Sequence, residues 1–128
     1  MKRHSRLALL GGALLLGACA SPKPSPLIEY RGGDLKHVIV VQKSATETTA
    51  SGLPQAKAIL ENKAGVTQRF EYKFLWFDAS DMPIDEDNRP WHAASVAGRD
   101  HVTVSGTAPS DKARKFQIQI RKPEEVTR

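Results

Sequence analysis

Several groupings of side chains in this 128-residue sequence have types suited to chemistry. His92, Ser95 and Asp100 supply a base, a hydroxyl and a carboxylate, the set used for acyl transfer. Around them stands no Gly-x-Ser-x-Gly elbow, no Ser-x-x-Lys pair and no glycine-rich stretch to build an oxyanion hole. Residue type alone supports that triad, and no enzyme is expected. Asp78, Asp81, Asp85, Glu86 and Asp87 form an acidic run whose oxygens suit a hard cation, but the glycine and terminal glutamate of an EF-hand loop are missing. A solvated loop is expected there. The four histidines, His4, His37, His92 and His101, never stand two apart, the spacing that puts two ligands on one face of a strand. Neither a cofactor nor a metal site is expected.

Cys19, the single thiol, has a different setting. Lys2, Arg3 and Arg6 precede an apolar run over residues 7–16, and the small residues Gly17 and Ala18 stand directly before the cysteine. As a helix, the stretch from Leu7 to Ala18 would reach about 18 Å, short of the roughly 30 Å hydrocarbon core of a bilayer. A membrane span is therefore not expected. Leu16-Gly17-Ala18-Cys19 resembles the lipobox of bacterial lipoprotein precursors. That resemblance implies cleavage before Cys19, diacylation of its thiol and acylation of the new amino group. Three acyl chains exceed what stable anchoring requires. Ala20, which is not Asp, implies sorting to the outer membrane under the rule that accompanies the resemblance.

Removing residues 1–18 also changes the charge. The formal balance of +5 includes Lys2, Arg3 and Arg6, so the 19 basic residues fall to 16 against 14 acidic ones, leaving +2. The remaining cations are scattered among acids without an Arg/Lys run, and nucleic-acid binding is not expected. With Cys19 lipidated no thiol is left for a disulfide, so stability has to come from packing.

After the cysteine, Pro22, Pro24 and Pro26 alternate in a stretch that favours extended polyproline II. At about 3.1 Å per residue, residues 20–26 form a tether on the order of 20 Å long. Residues 27–34, with Gly32-Gly33, either extend that linker or carry a short irregular strand. The expected division is thus a signal peptide over 1–18, lipidated Cys19 with a proline-rich linker to 34, a folded domain over 35–122 and a tail over 123–128.

From Leu35 onward, apolar residues alternate with period two in runs bounded by Gly, Pro, Asn, Asp and Ser. Leu35, His37, Ile39 and Val41 share one face of the first run, and Val38 and Val40 make its other face apolar as well, which predicts a strand covered on both sides. Ala56, Ala58 and Leu60 oppose Lys57 and Glu61 in the second. The third sets Val66, Phe70, Tyr72, Phe74 and Trp76 against Thr67, Arg69, Glu71 and Lys73, placing large aromatics inward. Val102 and Val104, then Phe116, Ile118 and Ile120 alternating with Gln117, Gln119 and Arg121, continue the theme. Residues 61–65 and 78–83 read as hairpin turns that make their flanking strands antiparallel neighbours. Trp91 to Val96 is a short strand or a bent segment. Five to seven such strands predict an all-β fold, an antiparallel two-sheet immunoglobulin-like sandwich, with a small open barrel as the alternative. Trp76 or Trp91 would fill the space between the sheets.

Taken together, Cys19, Ala58-Ile59-Leu60-Glu61-Asn62, the run from Phe70 to Asp78, the isolated Trp91 and Ala108-Pro109-Ser110 before Phe116 resemble the YcfL-like family of small lipoproteins. The resemblance spans nearly the whole mature domain and implies a secreted, lipid-anchored β-sandwich of Gram-negative bacteria. Its motifs are hydrophobic and turn positions, so it implies no catalytic residues. Related sequences often carry Gly in the turn after the Trp-x-Asp element, where this chain has Ser80-Asp81-Met82.

The expected function is a non-catalytic interaction or structural module, lipid-anchored at the periplasmic face of the outer membrane and presenting an edge strand or loop end to an envelope protein. Polar loops on a rigid scaffold commonly carry function, which singles out residues 85–89 and 106–112. The candidate contacts are Asp85, Glu86, Asp87, Arg89 and Trp91. The alternative is a binder of peptidoglycan or another small envelope ligand through Trp91. A buried Trp91 supports the scaffold reading, and an exposed one beside polar groups in a groove supports the ligand reading.

Overall fold

Alternating apolar residues give strands that each have one face to bury, and two sheets stacked face to face bury them all. The computed structural model describes residues 27–123. The signal segment, Cys19, the proline-rich stretch over 20–26 and residues 124–128 lie outside them. Eight strands run in the order β1 (Ile28–Arg31), β2 (Ile39–Thr48), β3 (Pro54–Asn62), β4 (Gln68–Phe77), β5 (Pro83–Ile84), β6 (His92–Val96), β7 (His101–Thr107) and β8 (Lys115–Arg121). Two 3₁₀ turns, Asp34–His37 and Glu86–Asn88, interrupt them. One sheet has the order β1-β8-β4-β5 with β6 also on β4, and the other has the order β2-β3-β7. The result is the two-sheet β-sandwich expected.

The inward faces follow the sequence alternation in most of the strands. Ala56, Ala58 and Leu60 of β3 meet Phe70, Phe74 and Trp76 of β4, with Ile118 and Ile120 of β8, in one buried core. Trp76, 1 % exposed, is the tryptophan that fills the space between the sheets. The β4 and β8 aromatics interlock, with Phe116 5.5 Å from Trp76 and 5.7 Å from Phe74 between ring centroids. Such tilted ring pairs add a little to the area they bury.

Several expectations need correction. Residues 27–34 do not extend the linker: β1 pairs in parallel with β8, Ile28 opposite Ile118, and Tyr30 donates its hydroxyl hydrogen to the carbonyl of Ile39. The folded unit thus begins before residue 35, and this pair is the exception to antiparallel pairing. Leu35 and His37 belong to the Asp34–His37 turn and not to a strand, because Leu35 alone of that turn is buried. From Gln42 onward β2 is exposed, so it is not covered on both sides. It lies at the edge of the three-stranded sheet, and its register slips between Val41 and Lys43. Val66 precedes β4 and is exposed instead of inward.

The segment over 61–65 is not a hairpin. β3 and β4 belong to different sheets, and the chain crosses between them there. Side-by-side pairing would have left the apolar faces of both strands looking the same way, whereas crossing over stacks them. Asn62, fully buried, holds the crossing. The two hydrogens of its Nδ2, one of them shared, reach the carbonyls of Val66 at 2.9 Å, Val96 at 3.0 Å and Ala97 at 3.1 Å, and its Oδ1 accepts from the Ala64 amide at 2.9 Å. The turn over 78–83 is the hairpin expected, pairing Trp76 with Ile84. Asp78 Oδ1 accepts from the amides of Ser80 and Met82, and Asp81 stands at φ 65°. That left-handed position is one where glycine is unstrained, and Asp is among the few other residues that adopt it readily.

Candidate functional site

β5 and β6 lie along the same side of β4 but leave a gap between them. β6 pairs from Gln68 to Tyr72 and β5 begins at Trp76, so Phe74 has no partner in either. Opposite the gap, in the other sheet, runs β7, whose pairing among the described residues is with β3 alone. Gly106 makes this approach possible: a Cβ there would lie 2.5 Å from Cδ2 of Phe74. Between the two strands opens a cleft of about 370 Å³, bordered by Lys73 and Phe74, Arg89, Pro90 and His92, and the segment Ser105 to Thr107. That volume lies within the range of small ligand-binding sites.

The loop joining β5 to β6 supplies the cationic wall. Asp85 stands at φ 56° and leads into the Glu86–Asn88 turn. Its Oδ1 accepts from Asn88 Nδ2 at 2.5 Å, and its Oδ2 lies 3.7 Å from an Arg89 Nη. The buried Arg89 Nε has no hydrogen-bond partner among the described residues. Lys73 borders the same cleft, and its ammonium lies 4.8 Å from the centre of the Trp91 ring. Among the described residues no carboxylate comes within ion-pair distance of Lys73. Arg121 also approaches the ring, with Cζ 4.1 Å from the centroid and Nε 2.7 Å from Glu71 Oε1. Cations over an indole face are attracted by its quadrupole.

Of the residues singled out by sequence, Arg89 borders the cleft, and Asp85 pairs with Arg89. Glu86 and Asp87 are exposed in the 3₁₀ turn and form no ion pair among the described residues. Trp91 is half-buried and adjoins the cleft through Lys73 without lining it. It is therefore neither the core tryptophan nor an open stacking platform. The segments 85–89 and 106–112, far apart in sequence, meet at one cleft through Arg89 and through Gly106 and Thr107.

Sequence reasoning missed Lys73, Phe74 and Ser105 as neighbours of those loops. Gly106 inside the β7 pattern was the available signal, since a glycine within a strand often marks close backbone approach.

The other candidate chemistry does not assemble. His92 shares the inward face of β6 with the ring of its partner Tyr72, at 5.5 Å, while Ser95 stands opposite Arg69 on the other face. Asp100 is engaged elsewhere, accepting from the His101 amide at 2.8 Å. Of the acidic run, Asp78 caps its own turn and Asp81 pairs with Lys115. Among the described residues no three His, Cys, Asp or Glu side chains are placed to hold a metal ion. No described helix is long and apolar enough to cross a membrane.

Comparison with known proteins places this fold in a wider group. The model of the family described as "Protein of unknown function (DUF1425)" matches residues 31–122. A crystal structure of a DUF1425 family member from Shewanella sp. PV-4 is similar with a TM-score of 0.60 at 22% identity, over 69% of this chain and 81% of that one. The crystal structure of Campylobacter jejuni Cj0090 is similar with a TM-score of 0.60 at 16% identity, over 76% of this chain and 98% of that one. At such identities the likeness shows the shared fold. No curated protein matches.

Proposed function

The chain belongs to the DUF1425 family, and we propose that it works as a YcfL-like, lipid-anchored module at the periplasmic face of the outer membrane, binding an envelope protein without catalysing a reaction. The lipobox at Cys19 and the proline-rich stretch behind it support the anchor and the tether. The observation that carries the interaction reading is the meeting of Arg89 and of Gly106-Thr107 at one cleft beside the free edge of β7. A free edge offers unpaired amides and carbonyls, a ready surface for another chain. The half-buried Trp91, approached by both Lys73 and Arg121, fits a scaffold role better than stacking on a sugar.

Two experiments test the two halves of this reading. Replacing Cys19 with Ser is expected to release the protein from membranes or leave it unprocessed; unchanged fractionation and unchanged mass would sink the lipid anchor. Crosslinking in intact membranes followed by pull-down is expected to recover a specific envelope protein. Saturable sedimentation with peptidoglycan and no such partner would favour the alternative ligand instead.

A further inference from the structure

We infer that the cleft between β7 and β4 receives an extended, acidic polypeptide segment that pairs with the free edge of β7. The inference rests on the interaction reading above and adds the chemistry of the partner. Its basis is the direction in which the backbone groups point. In an antiparallel ladder, residues alternate between turning their N–H and C=O toward one neighbour and toward the other. The Asn62 amide donates to the Asp100 carbonyl and the Ala108 amide to the Pro54 carbonyl, both at 2.8 Å, and both bonds continue the β3–β7 register. Even-numbered residues of β7 thus face β3. Ser105 and Thr107 turn their backbone groups away from it, toward the cleft that they border.

The same parity holds across the cleft. The Asp78 amide donates to the Met82 carbonyl at 3.0 Å, continuing the β4–β5 ladder, so even-numbered residues of β4 face β5 and β6. Phe74 falls in the gap between those two strands. Its N–H and C=O face the same opening as those of Ser105 and Thr107. An entering strand would find backbone donors and acceptors on both walls.

The other outer edge of the same sheet is guarded. β2 carries a bulge and Lys43, with Glu47 paired to Lys57 at 2.5 Å, devices that discourage strand addition. β7 has a continuous register and holds no Lys, Arg, Asp, Glu or Pro.

The charge of the guest follows from the wall. Among the described residues Lys73 has no carboxylate partner and the buried Arg89 Nε–H no acceptor, and one carboxylate, Asp85, stands 3.7 Å from the Arg89 guanidinium. A carboxylate on the guest would accept from both cations, forming charge-assisted hydrogen bonds. The stereochemistry argues for a protein segment over a peptidoglycan stem. L-residues keep the period-two alternation of a strand, and D-residues disrupt it.

The test uses the full chain in detergent micelles with two blocked hexapeptides, one alternating Glu with Val and the other alternating Lys with Val. The acidic peptide is expected to bind saturably and to slow amide exchange at Ser105 and Thr107. Combined Lys73→Gln and Arg89→Gln is expected to weaken it by about ten-fold or more, as loss of charge-assisted bonds requires, while Lys73→Arg retains binding and Lys57→Gln leaves it unchanged. Equal binding of the basic peptide, unaltered binding by the double variant, protection at β2 instead of β7, or no binding would overturn the inference. So would a soluble muropeptide that fills the cleft where the acidic peptide does not. An envelope partner recovered by crosslinking when the peptide fails removes the acidic-strand inference and leaves the interaction reading standing. Peptide binding without any envelope partner separates the two in the opposite sense.

Discussion

The Arg121 guanidinium sits 4.1 Å from the centre of the Trp91 ring while its Nε holds Glu71 at 2.7 Å. Lys73 approaches the same ring at 4.8 Å. Trp91 thereby ties the loop after β5 to β8 and to β4, which borders the cleft. Trp91→Ala is expected to lower stability by about 2 kcal/mol, mostly through exposed apolar area. A double-mutant cycle with Arg121→Ala should show a coupling of about 0.5–1 kcal/mol in urea unfolding. Additive effects would mean that the stack contributes only its area.

Asn62 holds a larger share of the fold than its polarity suggests. Three carbonyls, of Val66, Val96 and Ala97, depend on its side-chain amide. Asn62→Ala leaves them without that donor and is expected to cost about 3 kcal/mol, near the upper end for buried unsatisfied groups. Asn62→Asp should cost at least as much, because a carboxylate has no hydrogen to donate and would be buried as a charge. Chemical unfolding of both variants checks the order; an Asp variant as stable as the native chain would contradict it.

Two glycines make a contrasting pair. A Cβ on Gly98 would collide with the backbone carbonyl of Gly65 and stand 2.8 Å from the Val66 amide nitrogen, whereas a Cβ on Gly65 meets nothing within 4 Å. Gly98→Ala is expected to destabilise by about 1–3 kcal/mol, since backbone must move to admit it. Gly65→Ala should stay within about 0.5 kcal/mol of the native chain. Thermal denaturation distinguishes them, and equal midpoints would refute the close approach of the two turns.

Both tyrosines are held above their ordinary pKa of 10.0 by burial, which disfavours tyrosinate. The folded state therefore keeps these protons longer than the unfolded one. The associated stability is fully present below pH 10 and is lost as pH rises through the folded values. Ultraviolet titration of tyrosinate is expected to give midpoints above 10.0 for Tyr30 and Tyr72 in the native protein, falling to that value in urea. Native midpoints at or below it would contradict their burial.

Much of the sandwich was legible in the sequence. The alternation through Phe70, Tyr72, Phe74 and Trp76, and through Ala56, Ala58 and Leu60, announces faces that the structure turns inward. What the alternation could not convey is which strands pair. The residues over 61–65 have turn chemistry, and turn chemistry is the same whether the next strand lies beside the last or across from it. Gln117 and Gln119 show the same limit: they read as outward and polar, yet both are buried, with Gln119 donating to Gln117 and accepting from Arg31. The segments 85–89 and 106–112 were marked by their polarity, although Gly106 and Thr107 belong to β7 and not to a loop. Their meeting with Lys73 was not, because it depends on the gap between β5 and β6, which no local pattern encodes.

Site-resolved photo-crosslinking in intact cells tests the central claim most directly. A crosslinking residue placed at Thr107, beside the cleft, is compared with one at Thr46 on the guarded edge of β2. A discrete adduct with one envelope protein from Thr107, absent from Thr46, is the expected result. No protein adduct from Thr107, together with saturable co-sedimentation of the native chain with peptidoglycan, would contradict the account.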